Sequence, residues 1–172
     1  FDVSDLRKIH GLDGALTIGV IGSIVWSDRY RMCYGWDVIE TVRLLKDRDV
    51  KGVIVGDGNG LPHLKERAWT YGIEDRIFFA GRVPHEDVPR YINLMDICIS
   101  TQTNDTVGRS RTTAKLPEYL ACGRFIIATG QSGNPLSSHY RDLVETWRDG
   151  GGLTLAPPRN GSGDVLKILP RR

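Results

Sequence analysis

Glu118 stands three residues after Lys115 in the stretch RTTAKLPEYLACGRF, residues 111–125. The pattern predicts a short amphipathic helix that starts around Thr113–Leu116, with Lys115 in that start and Pro117 and Glu118 a half-turn inside. A proline beside an acid is common at a helix start, because proline lacks the N–H the first turn cannot use and the acid suits the positive dipole end. The same residue types also suit a ligand. Free N–H groups at a helix start bind phosphate, and Lys115 adds a point charge. A carboxylate accepts from two vicinal sugar hydroxyls, each charge-assisted bond worth roughly 1.5–3 kcal/mol. Phosphate on the backbone and ribose on Glu118 together describe a nucleotide.

Other stretches extend this chemistry. Glycine-rich or polar loops follow the apolar runs: Gly22-Ser23, GDGNG at 56–60, Gly81-Arg82, the polar stretch 102–113 and the glycine-bounded stretch 130–133. Gly22, Gly56 and Gly58 permit close backbone approach and positive φ, both useful at a phosphate. Tight strand-to-helix turns need glycine as well, and for any single loop that explanation suffices. GDGNG lacks the GxGxxG spacing of a dinucleotide fingerprint, and no GxxxxGK[ST] phosphate loop is present, so the NAD and P-loop classes are disfavoured. Arg29 and Arg31, in VWSDRYRMCYG (25–35), suit a pyrophosphate bidentately. A solvated basic loop accounts for either one alone equally well.

These residues need a scaffold, and the order of elements supplies one. Apolar, β-branched runs at 17–25, 52–56, 76–81, 96–101, 125–130 and 152–157 read as strands. Between them, Trp36, Ile39, Val42 and Leu45 recur with helical period. Leu61, Leu64, Ala68 and Tyr71 do the same and are closed by Gly72. Further helices are expected over 84–95, at the opening stretch and near 140–147, with a frayed tail after the last strand. Strands this apolar are buried on both faces, and helical crossovers make them parallel. The expectation is an α/β fold, a Rossmann-like doubly wound parallel sheet of about six strands in a single domain over 1–172. Its ligands bind beyond the carboxyl ends of the strands, where the loops above lie.

Composition narrows the classes. The 172 residues hold 40% hydrophobic and 26% charged residues, ordinary for a globular domain with a proper core. Twenty-three basic residues against 21 acidic ones give a net charge of +2, dispersed along the chain, so nucleic acid is not an expected partner. Cys33, Cys98 and Cys122 are an odd number without metal spacing, which points to a reducing compartment. His10, His63, His85 and His139 are scattered, and no metal site or cofactor is expected. No apolar run approaches ~18 residues, the length of a membrane span. The start at Phe1 and the stop at Arg172, without a signal peptide, suggest an excised piece of something larger.

Three stretches taken in order, GVIVGDGNG, GIEDRIFFAGRVPHEDVPRYINLMDICIS and AKLPEYLACGRFIIATGQSG, resemble the C-terminal domain of family 4 (group 1) glycosyltransferases with the GT-B fold. The likeness runs from about residue 17 to 157 at compatible spacing. It is specific as a combination, although no one piece is. It implies that the chain is the domain holding a nucleotide-diphosphate sugar. On that resemblance Glu118 grips the ribose hydroxyls. The amides of Ala114, Lys115 and Leu116 hold the diphosphate, Arg82 and Val83 meet the base, and cations such as Arg29 and Arg31 stabilise the leaving nucleoside diphosphate.

The chain also departs from the family pattern. A second glutamate, common eight positions before the ribose glutamate, is replaced by Ser110, with Asp105 a candidate substitute. An arginine tends to follow the glycine that ends the first strand, and a lysine to precede the next helix. Here Ser23 takes the first place, and Met32-Cys33-Tyr34 precede Gly35. The resemblance implies a retaining transfer completed by an N-terminal acceptor domain absent from this chain, so the piece alone is expected to bind donor and catalyse nothing. Cytoplasmic residence is expected, with peripheral membrane attachment only through the missing part. Two other readings share the fold: a non-catalytic nucleotide-binding module, which would not need the Lys115–Glu118 arrangement, and a GT-B nucleotide-sugar epimerase, which would carry additional acid–base carboxylates.

Overall fold

The computed structural model describes residues 2–101, 113–130 and 164–168. The chain divides into two units, residues 1–99 and 100–172.

The first unit opens with a short helix, α1 (Ser4–Ile9), in a segment where the sequence carries no helical period. Four strands follow: β1 (Leu16–Ile21), β2 (Val50–Val55), β3 (Ile77–Gly81) and β4 (Ile97–Ser100). They lie in the order β3-β2-β1-β4, and every pair is parallel. β1 and β2 pair in register from Leu16 opposite Val50 to Ile21 opposite Val55. Helix α2 (Trp36–Leu44) carries the crossover from β1 to β2 and α3 (Leu61–Thr70) that from β2 to β3. After β3 the chain turns back past β1, so right-handed connection puts α4 (Val88–Ile92) on the opposite face. That reversal between β1 and β4 is the switch point beyond which ligands bind in such sheets.

Burial explains the periodicities. Val38, Ile39 and Val42 of α2 and Leu64 and Ala68 of α3 are fully buried against Ile18, Val20 and Ile54. Each large aliphatic side chain so placed contributes about 1.5–3 kcal/mol of transfer free energy. Gly72, at φ +60, ends α3 as the sequence suggests. The helix expected over 84–95 is broken: a 3-10 turn at His85–Asp87 precedes the five-residue α4. Pro89 lies inside the expected run and can donate no backbone hydrogen bond. Strand β1 is also shorter than the run 17–25, because the backbone leaves the extended conformation at Gly22, φ +132.

Arg7 of α1 ties the amino end of this sheet together. Its guanidinium donates to the carbonyls of Leu94 (2.9 Å), Leu12 (3.1 Å) and Ala15 (2.7 Å) and to the Thr17 hydroxyl (3.1 Å). Asp96 Oδ2 lies 3.6 Å away and accepts the Thr17 N–H at 2.8 Å. The starts of β1 and β4 and the helix are thereby joined through one cation.

In the second unit, α5 (Lys115–Ala121) leads into β5 (Phe125–Gly130), with Leu116, Tyr119, Ile126 and Ala128 buried. The last described strand, β6 (Asp164–Ile168), corrects the frayed tail expected there. It pairs antiparallel with β5, Ile126 opposite Ile168 and Gly130 opposite Asp164. An antiparallel strand needs no crossover helix. The expected strand at 152–157 and helix at 140–147 lie outside the described residues. The architecture is an α/β, Rossmann-like one.

Candidate functional site

At the carboxyl edge of the first unit, the loops after β1, β2 and β3 touch. The Gly22 N–H donates to the Val55 carbonyl at 2.9 Å, and the Ile24 N–H to Asp57 at 3.0 Å. The Gly60 N–H donates to Ile24 at 2.9 Å, and the Gly56 N–H to Gly81 at 2.8 Å. A Cβ on Gly56 (φ +133) would fall 1.9 Å from the Gly22 carbonyl oxygen, and one on Gly58 (φ +150) 2.3 Å from that of Ile24. Glycine at 56 and 58 is therefore required by loop-on-loop contact before any ligand is considered. Gly22, Gly56 and Gly58 are brought together, with Arg82 next to Gly81.

The segment from 22 to 35 is built on this base. Its main regular feature is an antiparallel bridge, Ser27 opposite Met32. At its tip Arg31 adopts φ +51, with its N–H on the Ser27 carbonyl at 2.7 Å. Arg29 and Arg31 are both exposed, and the Arg29 guanidinium lies 5.3 Å from the Tyr30 ring centroid. Among the described residues neither arginine forms an ion pair.

Trp26, Asn59 and His63 were not legible as site residues, yet they shape this loop. The Trp26 main-chain N–H donates to Asn59 Oδ1 at 2.9 Å. Its indole N–H donates to Asp28 Oδ1 at 3.0 Å. The indole stacks on the His63 imidazole, centroids 3.9 Å apart and planes 21° apart. The Trp36 ring is tilted against the indole, 5.9 Å away. Spacing within either segment alone gives no hint of this, because Asn59 and His63 lie 33 and 37 residues after Trp26 in sequence.

Trp36 connects the loop to the helix pair behind it. The Arg67 guanidinium lies 3.9 Å from the Trp36 ring centroid and 4.9 Å from that of Tyr71. Glu40 accepts from Arg67 Nε at 2.6 Å, Arg43 Nε at 2.9 Å and the Tyr71 hydroxyl at 3.1 Å. Burial would raise the Glu40 carboxyl, but the hydrogen bonds from Arg67, Arg43 and Tyr71 outweigh it and hold it below its ordinary value. Beneath the loop, Cys33 is buried with Sγ 3.6 Å from the Gly60 carbonyl oxygen, and burial pushes its thiol up to about 11.

Of the remaining expected site residues, Arg82 is exposed and Val83 half-buried, directly after β3. In the second unit, Ala114 flanks α5, Lys115 and Leu116 are its first two residues, and Glu118 follows Pro117. The first donor within this turn is Glu118 N–H, to Ala114 at 3.3 Å. One amide expected to be free is engaged: Lys115 N–H meets the Thr113 hydroxyl at 3.3 Å. The Glu118 side chain is half-buried.

Asp105, Ser110 and His139 lie outside the described residues. Among the described residues no His, Cys, Asp or Glu cluster is placed to hold a metal ion. No described helix is long and apolar enough to cross a membrane.

Comparisons with known proteins agree with the pattern. The family described as "Glycosyl transferases group 1" matches residues 15–163. The alpha-monoglucosyldiacylglycerol synthase of Streptococcus pneumoniae is 36% identical over 131 residues, covering 75% of this chain and 28% of the synthase. The 2-deoxystreptamine glucosyltransferase of Streptomyces kanamyceticus is 27% identical over 119 residues, covering 67% of this chain and 30% of that enzyme. This chain thus spans under a third of the length of either relative. Among solved structures, Anabaena HepE in complex with UDP and glucose superposes with a TM-score of 0.55 at 19% identity, over 72% of this chain and 32% of HepE, a likeness of fold. With the family match running over most of the chain, from before β1 to the edge of β6, the protein belongs to the group 1 glycosyltransferases, family 4 of the GT-B fold.

Proposed function

We propose that the chain is the donor-binding domain of a retaining glycosyltransferase that moves a sugar from a nucleotide-diphosphate sugar to an acceptor. The observation that carries this is the place of Glu118. Glu118, the residue that the family pattern assigns to the ribose hydroxyls, stands in the first turn of α5, and its half-buried carboxylate takes no hydrogen bond from a described residue. On this reading Ala114, Lys115 and Leu116 line the diphosphate.

The chemistry asked of these groups is electrostatic. Breaking the bond from the sugar to the diphosphate leaves negative charge on the nucleotide, and donors already in position stabilise it without reorganising. No metal is required where cations and amides meet that charge. The acceptor and the rest of the catalytic cleft belong to an N-terminal domain outside this chain, so the chain alone binds donor and does not turn over. Any attachment to a membrane also runs through that part. The names of the relatives span lipid and aminocyclitol glycosides, which leaves both acceptor classes for the whole protein.

Calorimetric titration of the 172-residue chain with UDP, GDP and ADP tests the reading. Saturable binding that favours one base is expected. Absence of binding to all three at millimolar concentration would overturn it.

A further inference from the structure

Among the described residues, β3 pairs with β2 on one side and with no strand on the other, so it is a sheet edge. Its five residues, Ile77–Gly81, carry neither charge nor proline, two of the usual means by which an edge is kept from pairing. A register shift after Phe79 confines regular pairing to the start of the strand. Side chains cover both of its faces. The His10 imidazole stacks on the Phe78 ring, centroids 3.9 Å apart, and Lys65 Nζ of α3 lies 5.7 Å from the Phe79 ring centroid. The outer row of backbone N–H and C=O groups is what stays open, a template for a further strand.

The two ends of this strand carry opposite charge. Glu74 and Asp75 precede it and Arg82 follows it, all three exposed and, among the described residues, without an ion pair. The charge next to the strand, Arg76, is engaged inside the chain, donating to the Arg48 carbonyl at 3.0 Å. Asp75 and Arg82 stand at opposite ends of a near-extended segment, about 20 Å apart, so they cannot meet within one molecule. Trp69 adds an apolar neighbour. It follows Lys65 by four residues, which puts it on the same side of α3, and it is 72% exposed.

We propose that the β3 edge, with Trp69 beside it, docks a second copy of this chain. The occupant is a second copy because the edge is complementary to itself. Antiparallel pairing centred on Phe78 brings Glu74 and Asp75 of each copy beside Arg82 of the other. A parallel neighbour would set like charges side by side. Antiparallel edges joined about a two-fold axis also keep both α3 helices on one face of the continuous sheet, where each covers Trp69 of the other. Such an isologous contact closes at two copies.

Sedimentation velocity of the 172-residue chain over a concentration series tests this, with amide hydrogen exchange to locate the contact. A reversible monomer–dimer equilibrium is expected, with exchange slowing within residues 77–81 as the dimer forms. Arg82→Glu should weaken the dimer about tenfold or more, because the two-fold axis makes each lost pair and each new repulsion count twice. Glu74→Arg/Asp75→Arg/Arg82→Glu exchanges the charges of the two ends and should return to within about threefold of wild type. Trp69→Ser should weaken the dimer about tenfold while leaving the melting temperature of the dilute monomer unchanged, since the indole is exposed there. A chain that stays monomeric up to about 1 mM would overturn the proposal. So would a dimer without protection at 77–81, a charge exchange that restores nothing, or oligomers that grow beyond two. None of these readouts involves nucleotide, so their failure leaves the donor-binding reading untouched.

Discussion

The Gly56 α-carbon faces the Gly22 carbonyl oxygen so closely that a Cβ there would stand 1.9 Å from it. Two strand ends are thus locked edge to edge at the carboxyl edge of the parallel sheet. Positive φ alone costs a non-glycine residue about 1–3 kcal/mol, and here a backbone collision adds to it. Gly56→Ala should therefore lower unfolding free energy by about 3 kcal/mol or more. Gly14→Ala is the control: φ is +75, but nothing lies within 4 Å of its added Cβ. It should cost about 1 kcal/mol. Urea denaturation of the two variants checks the contrast.

Arg7 predicts a second large loss from a residue far from the loops. Arg7→Ala leaves the Leu94 and Ala15 carbonyls without their charged donor, at an expected cost of about 2–4 kcal/mol. Arg7→Lys, with one nitrogen in place of a fork, should recover only part of this. Nucleotide affinity should not change in either variant, because the cluster binds the amino end of the sheet.

Glu40 makes stability depend on pH. Its native carboxyl titrates below its unfolded value, so its contribution is complete above the ordinary value near 4.5 and is lost as pH falls through the lower native value. The difference in unfolding free energy between wild type and Glu40→Gln should therefore be largest at neutral pH and shrink in acid. A difference that grew on acidification would contradict the bonding described. Denaturant titrations of both proteins between neutral pH and pH 3 decide it.

The cysteines offer a solution probe of the same loops. Cys33 is buried, with its thiol pushed up to about 11, and Cys98 is buried too, whereas Cys122 is half-buried. The thiolate is the reactive form. A thiol reagent at pH 8 should label Cys122 first and reach Cys33 only on unfolding. Gly56→Ala should accelerate labelling of Cys33, whose sulfur lies against Gly60.

Much of the fold was readable because its signals are local. The repeats of Trp36, Ile39 and Val42, and of Leu64 and Ala68, belong to helices whose apolar faces are buried, Trp36 only partly, whereas Leu45, expected on the same face, caps the end of α2 and is exposed. The apolar runs at β1 to β5 are strands, as their β-branched density implied. Two local signals were misread: Pro89 interrupts the helix after β3, and the antiparallel β6 lies in a stretch taken for a tail. The candidate site was less legible. Glu118 and the two loop arginines declare themselves by residue type, but Trp26 meets Asn59 and His63 only through the fold. Nothing within one segment encodes a contact between residues more than thirty positions apart. Arg7 was silent for the same reason, since its carbonyl partners carry no side-chain signature.

On the proposed function, Glu118 receives the ribose of a bound nucleotide. The most direct measurement compares the dissociation constant of the preferred nucleoside diphosphate with that of its 2′,3′-dideoxy analogue, in wild type and in Glu118→Ala. Wild type should favour the ribose form roughly tenfold or more, about 1.4 kcal/mol, and the variant should bind both forms alike. A variant that keeps the wild-type preference would contradict the account and leave Glu118 as an acid at a helix start.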